Sequence, residues 1–156
     1  ILNHRVIGTD ADLKHLREKV EHVVVGIGHM PGNMKRLISI DILSKLKYRF
    51  PVIISRYATV STYAHIEEGS TIGHKAVINA GANIGAHTII NTMALIEHDV
   101  TIGKHCHIST GALVNGGVAI GNNSFIGSGA MIREGLVLPQ NAIISAGKRV
   151  MGWPLL

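Results

Sequence analysis

From Ile54 onward a large aliphatic residue returns at every sixth position: Ile54, Val60, Ile66, Ile72, Ile78, Ile84, Ile90, Ile96, Ile102, Ile108, Val114, Ile120, Ile126, Ile132, Leu138, Ile144 and Val150. No step of the run is broken. Four residues after each aliphatic the position is mostly small, as at Ala58, Ala64, Ser70, Ala76, Ala82, Thr88, Ala94, Cys106, Ala112, Ser124, Ala130 and Ala142; Val100, Val118, Leu136 and Lys148 are larger exceptions. Such a period cannot be one face of an α-helix, because about 3.6 residues per turn would scatter the aliphatics around the cylinder. It suits a short strand followed by a corner. Three repeats close a triangular coil with the aliphatic pointing inward and the small residue at the corner. Successive coils then pair as parallel strands about 4.8 Å apart. The pattern predicts a mainly β chain in which residues 54 to 150 form a parallel β-helix of hexapeptide repeats.

The first 50 residues alternate α and β instead. Arg5 to Ile7 read as a short strand, and Thr9 or Asp10 can cap a helix running through Leu13, Leu16 and Val20, whose spacing keeps one apolar face. A buried strand is predicted over residues 22–28. A second helix carries Met34, Leu37, Ile38, Ile42, Leu43 and Leu46 and ends before Pro51, which disfavours helical geometry at Phe50. This reads as a β-α-β-α piece of a small parallel-sheet domain. It has no dinucleotide fingerprint: after Gly26-Ile27-Gly28 the third glycine falls at Gly32, one place late. Because the chain opens at Ile1 without Met, as though inside a strand, an N-terminal part is expected to be missing.

Composition sharpens this. Aromatic residues are only 4% while hydrophobic residues are 46%, so the core must be built from Ile, Val, Leu and Ala in thin layers. The single cysteine, Cys106, forms no internal disulfide, and with no leader-like segment the expected compartment is a reducing cytoplasm. No apolar run approaches the roughly 20 residues needed to span a bilayer, so no membrane insertion is expected. The net charge of +5 is spread along the chain without interleaved aromatics. That is not the footprint of a nucleic-acid binder, although a mild positive field suits phosphorylated small molecules.

Pairs such as Ile72-Gly73, Ile84-Gly85, Ile102-Gly103, Ile120-Gly121 and Ile126-Gly127, inside the hexad rule, resemble the hexapeptide acyltransferases. That resemblance, and not the period, implies left-handed winding, since crossovers between parallel strands are normally right-handed. The segment Ile90-Asn91-Thr92-Met93-Ala94-Leu95-Ile96-Glu97-His98-Asp99, with Ile102-Gly103 and His107-Ile108 after it, resembles the sialic acid O-acyltransferase family. That family includes bacterial N-acetyltransferases of UDP-linked 4-amino sugars, such as the one making diacetylbacillosamine. The likeness runs from Gly8-Thr9-Asp10 to Gly152-Trp153-Pro154. It implies that residues 1–50 are part of a Rossmann-like α/β domain with a substrate-binding role and that 51–156 carry the acyltransferase role. The acceptor would be a sugar or nucleotide sugar, either the amine of a UDP-4-amino sugar or a hydroxyl of sialic acid, and the cosubstrate acetyl-CoA. A homotrimer with CoA held between subunits is also implied.

By the same resemblance His98 is the general base and Asp99 raises its basicity, Asn91 contacts the acceptor, and His107 contacts acetyl-CoA. The chemistry independently wants such a base, because attack of an amine or hydroxyl on a thioester releases a proton near neutrality. Coil arithmetic adds residues of its own. One coil above His98 and Asp99 lie Gly116 and Gly117, which leave a bare rung and a backbone N–H for a developing oxyanion, or serve only as turn glycines. A second column, Thr92, Thr110, Ser128 and Ala146, is small on every rung and suits a pantetheine arm. The other histidines, at 4, 15, 22, 29, 65, 74, 87 and 105, read as structural or solvated, with His87 and His105 stacked one coil apart. Cys106 reads as corner packing rather than a nucleophile. A γ-type carbonic anhydrase is the rival of a different class. It needs two histidines about two coils apart and a third five residues beyond. The solenoid has no such spacing, and no metal is expected.

Overall fold

The computed structural model describes residues 3–154. Every predicted rung becomes a two-residue strand, from Ile53–Ile54 to Arg149–Val150, and the strands stack in parallel on three flat faces. The first face holds Ile53–Ile54, Thr71–Ile72, Ile89–Ile90, His107–Ile108, Phe125–Ile126 and Ile143–Ile144. The second runs from Thr59–Val60 to Arg149–Val150, and the third from His65–Ile66 to Val137–Leu138. Partners lie 18 positions apart in the chain, as in Ile54 opposite Ile72 and Ile72 opposite Ile90. Between faces the chain turns through three columns of corners.

The core is the column of inward aliphatics. Ile72, Ile78, Ile84, Ile90, Ile96, Ile102 and Ile108 are essentially inaccessible, and the small corner residues Ala76, Ala82, Ala94 and Ala112 fill the gaps between them. Trp153 packs against the far end. At the near end Ile54 is 48% exposed, because it is the first rung and has no described coil beneath it. Each corner from Gly69 to Gly147 places one residue in the left-handed backbone region, including non-glycines such as Lys75, His87, Met93, Asp99 and His105.

The N-terminal residues depart from the predicted alternation. Residues 5–7 are extended but form no strand. Thr9 does cap the first helical turn, its backbone N–H and hydroxyl both donating to the Asp12 carboxylate. That turn is 3-10 over Asp10–Asp12 and α-helical only over Leu13–Leu16, so Val20 lies beyond it. Residues 22–28 form no buried strand. They pair with the chain through a single bridge, His22 opposite Arg49, which leaves Val24 and Ile27 exposed. The segment has no sheet neighbour on its other side among the described residues.

The second helix spans Lys35–Lys45 and buries Arg36, Ile40 and Leu43. Of the apolar set read from the sequence Leu43 is buried and Leu37 and Leu46 are half-buried, while Met34, Ile38 and Ile42 are exposed. Arg36 decides that rotation. Its guanidinium donates from Nη1 to the carbonyls of Val25 and Ile27, both at 2.7 Å, and from Nη2 to the carbonyl of His87 at 3.5 Å. It thereby ties helix, extended segment and solenoid together. Ile40, Leu43, Tyr48 and Phe50 form a small second core beside it. Ile89 of the first face lines a cavity with Val24, Val25 and Arg36 of the N-terminal segment. Among the described residues no helix is long and apolar enough to cross a membrane.

Candidate active site

Glu97, His98 and Asp99 follow the strand Leu95–Ile96 into the corner between the second and third faces. Asp99 takes the left-handed conformation of that corner, φ 59°. Aspartate tolerates this region better than most residues. The turn brings its carboxylate back to the preceding ring, with Oδ2 2.9 Å from Nδ1 of His98. A carboxylate only accepts, so Nδ1 carries the hydrogen, and in the neutral ring Nε2 keeps its lone pair. The hydrogen bond from Asp99 comes first among the causes that raise the His98 pKa above its ordinary value; slight desolvation opposes it, and the charges of Asp99 and Glu97 add to it. Both side chains are largely open to solvent, 66% and 72% exposed.

Glycines hold this pair above and below. A β-carbon at Gly116, one coil above His98, would stand 2.6 Å from Nε2 and 2.7 Å from Cε1 of the imidazole. The bare rung therefore admits the ring of His98 itself, and the open space lies at Gly117, where a β-carbon would meet nothing within 4 Å. Gly81, one coil below Asp99, does the same for the carboxylate, since a β-carbon there would overlap Asp99 Oδ1. Coil arithmetic applied downward from Asp99 marks Gly81, a signal the upward step to Gly116 and Gly117 does not contain. The Gly116 N–H has no backbone partner among the described residues.

Asn91 and His107 come together one corner away, where the first face turns into the second. Asn91 Nδ2 is 3.2 Å from His107 Nε2, and Asn91 Oδ1 accepts from the Thr92 N–H at 2.7 Å. His107 Nδ1 donates to the carbonyl of His29 at 2.9 Å. Desolvation is the main cause holding His107 below the usual histidine range; the His29 carbonyl opposes it and the Arg36 charge reinforces it. His29, read from the sequence as structural or solvated, is buried and stacks on Phe125 with ring centroids 6.4 Å apart. Nothing periodic marks it, because it comes from the irregular segment lying on the first face. Thr92, Thr110, Ser128 and Ala146 share the same corner column. The last three are exposed, and the glycines beside them, Gly111, Gly129 and Gly147, add no side chains.

The predicted site thus divides between two corners. His98, Asp99 and Gly116 stand at one edge of the second face; Asn91, His107, Ser128 and Ala146 stand at or near the other. Between the edges the outward residues of that face, Val77, Leu95, Leu113 and Met131, form an apolar ladder in direct register.

The remaining candidates are structural. His87 and His105 stack at 5.3 Å with rings 6° from parallel. Cys106 is buried, and desolvation pushes its thiol up to about 11, which keeps it from acting as a nucleophile near neutrality. Among the described residues no three His, Cys, Asp or Glu side chains group as metal ligands would.

Comparison with known proteins adds the chemistry. The family described as bacterial transferase hexapeptide (six repeats) matches residues 99–134, and no curated protein matches the chain. A histidine-to-asparagine variant of perosamine N-acetyltransferase from Caulobacter crescentus, solved with CoA and GDP-perosamine, is 30% identical; the match covers 97% of this chain and 71% of that one, with a TM-score of 0.91. The chain belongs to the hexapeptide-repeat acyltransferases. The acetyltransferase domain of PglB from Neisseria gonorrhoeae FA1090, solved with acetyl coenzyme A, is 32% identical to this acyltransferase over 96% of its length and 74% of the domain's, with a TM-score of 0.87. WeeI from Acinetobacter baumannii AYE, at 21% identity over 97% of this chain and 79% of its own and a TM-score of 0.72, shares the fold.

Proposed function

We propose that this acyltransferase moves the acetyl group of acetyl-CoA to the 4-amino group of a nucleotide-linked amino sugar, with His98 as general base. The observation that carries the reading is the His98–Asp99 pair, with Nε2 of the ring held against Gly116, in a chain similar along almost its whole length to sugar N-acetyltransferases. The amine attacks the thioester carbonyl and His98 Nε2 takes its proton. Asp99 meanwhile holds the Nδ1–H and balances the imidazolium that forms. The tetrahedral oxyanion is stabilised by the free N–H of Gly116. When the intermediate collapses the C–S bond breaks, and the imidazolium returns its proton to the CoA thiolate. Ser128 and Ala146 line the track for the pantetheine arm, and Asn91 meets the acceptor. The coil is taken to wind left-handed, as in the hexapeptide enzymes generally.

The same reading makes the enzyme a threefold ring. Each subunit turns its apolar ladder toward the axis, so that the His98 edge of one meets the Asn91 edge of the next. A head-to-tail contact of this kind closes a trimer. It joins the divided site, covers the exposed His98–Asp99 pair and lays CoA between neighbours. A UDP-linked sugar is the acceptor expected from the sequence, while the similar Caulobacter enzyme holds GDP-perosamine. Acetyl-CoA turnover with UDP-4-amino sugars, GDP-perosamine and sialic acid tests the reading, and transfer to none of the amino sugars overturns it. Sedimentation tests the assembly, where a monomer at micromolar concentration would count against it. Mixing is sharper: His98→Ala and Asn91→Ala subunits, each inactive alone, should regain up to about one quarter of the wild-type sites when combined, because a shared site draws one residue from each neighbour.

A further inference from the structure

Where the second helix meets the solenoid, the corner column between the third and first faces carries two imidazoles. Gly69, His87, His105, Asn123 and Asn141 follow one another up this column, all with left-handed backbones. The His87 ring fills the space at Gly69, where a β-carbon would overlap Nδ1, and His105 stacks on it at 5.3 Å. Phe50 meets the His87 ring edge-on with centroids 4.8 Å apart, and its carbonyl accepts from the Gly69 N–H at 2.9 Å. Phe50 belongs to the small core with Ile40, Leu43 and Tyr48, and buried Arg36 of the same helix donates to the His87 carbonyl. The helix and its core therefore rest on the solenoid at this stack.

The stack is built for neutral rings. Positive groups bear on it: Arg36 from the helix and Lys104 from the corner act on both rings, and His105 feels His87 as well. His29 of the extended segment and His107 of the first face belong to the same basic neighbourhood, each acted on by Arg36. Carboxylates do not balance them. Of the acids one coil beneath, Glu67 accepts from the Ala86 N–H and Glu68 meets His87 through its backbone carbonyl; Arg49, next to Phe50, is paired with Glu21 at 2.9 Å. His105 Nδ1 is buried without a hydrogen-bond partner. An imidazolium would put an N–H there with no acceptor, and two stacked imidazoliums would repel.

We propose that the His87–His105 stack is an acid-sensitive latch, whose protonation releases the second helix and its small core from the solenoid while the coils stay folded. The coils have no such weakness, because their inward column is aliphatic from Ile72 to Ile144. The released unit is held by far fewer buried residues, so it opens locally first. Burial comes first among the causes that hold both rings below the ordinary 6.5, and the neighbouring positive charges add to it. Freed rings return to that value. The latch is then fully closed above pH 6.5 and loosens as pH falls below it. Between pH 7.5 and 5.5 each freed histidine favours release by up to about tenfold, and the pair by up to about 100-fold.

Hydrogen exchange of the whole chain at pH 7.5 and 5.5, corrected for the intrinsic effect of pH, tests this by mass spectrometry. Amides of residues 35–50 should lose protection by about tenfold or more at pH 5.5, while those of the strands from Ile72 to Ile144 should change by less than about threefold. Unchanged protection in the helix, or equal loss in helix and coils, overturns the latch. The double variant His87→Asn/His105→Asn continues downward the asparagines that already occupy this column at Asn123 and Asn141, so its backbone is suited to the corner. It should cut the acid response of residues 35–50 by about tenfold, and a response as large as in the wild type overturns the assignment to this stack. His105→Asn alone keeps the Phe50 contact of His87 and should cut the response by a smaller factor. If the double variant does not fold, an undiminished response in the single one overturns the latch just as well.

Discussion

The imidazole of His98 lies over the α-carbon of Gly116, so close that a methyl group there would stand 2.6 Å from Nε2. Gly116 has no left-handed backbone requirement, so an alanine is not strained by its own conformation. What must give way is the ring, the far end of an exposed side chain. Gly116→Ala should therefore leave the melting temperature almost unchanged and lower kcat by about tenfold or more, because small displacements of a reacting group are costly. An alanine variant with full turnover would show that the ring works from another position.

His98→Ala should reduce turnover by roughly 100-fold or more, the usual worth of a placed base, with acetyl-CoA affinity nearly unchanged. The Asp99 hydrogen bond raises the His98 pKa above 6.5. Since the base must be neutral to accept a proton, the acid limb of kcat/KM should fall off with an apparent pKa above 6.5. In Asp99→Asn the limb should move down toward 6.5 while the plateau drops. A limb unaffected by that change would separate Asp99 from the base.

Ile96→Ala and Ile108→Ala should each cost about 2 to 5 kcal/mol, because fixed rungs above and below prevent the cavity from collapsing. His74→Ala, at an exposed corner, should fall within about 0.5 kcal/mol. Chemical denaturation of the three variants decides whether the inward column carries the stability.

Desolvation is the first cause holding His29, His87, His105 and His107 below the usual histidine range. The unfolded chain then binds protons more readily than the folded one as pH falls below 6.5. Stability should be fully present above 6.5 and decline as pH drops through the window between that value and the lowered folded ones. Melting temperatures at pH 7.5 and 5.5 test the sign, and His105→Asn, which suits the left-handed corner, should reduce the decline.

The hexad rule was legible because every rung meets the same environment, so one side-chain requirement repeats until it stands out. Gly116 was legible for a related reason: coil arithmetic places it one rung above His98. The missed features belong to contacts made once. Arg36 turns the second helix by gripping carbonyls of a non-repeating segment, and a charged residue inside a helical pattern reads as solvated. His29 acts through its backbone carbonyl, which no side-chain pattern encodes. The division of the site between two corners follows from the order of the faces, and the resemblance alone gave roles without saying where each residue stands.

Stacking at a spacing of 18 also governs what changes of length the chain tolerates. A residue inserted within a strand between His98 and Gly116 would shift every later side chain by one column, setting Asn115 where Gly116 now admits the ring. The same insertion looped out at the exposed tip of a corner would leave all columns aligned. Length variation in this protein should therefore gather at corner tips away from the second face.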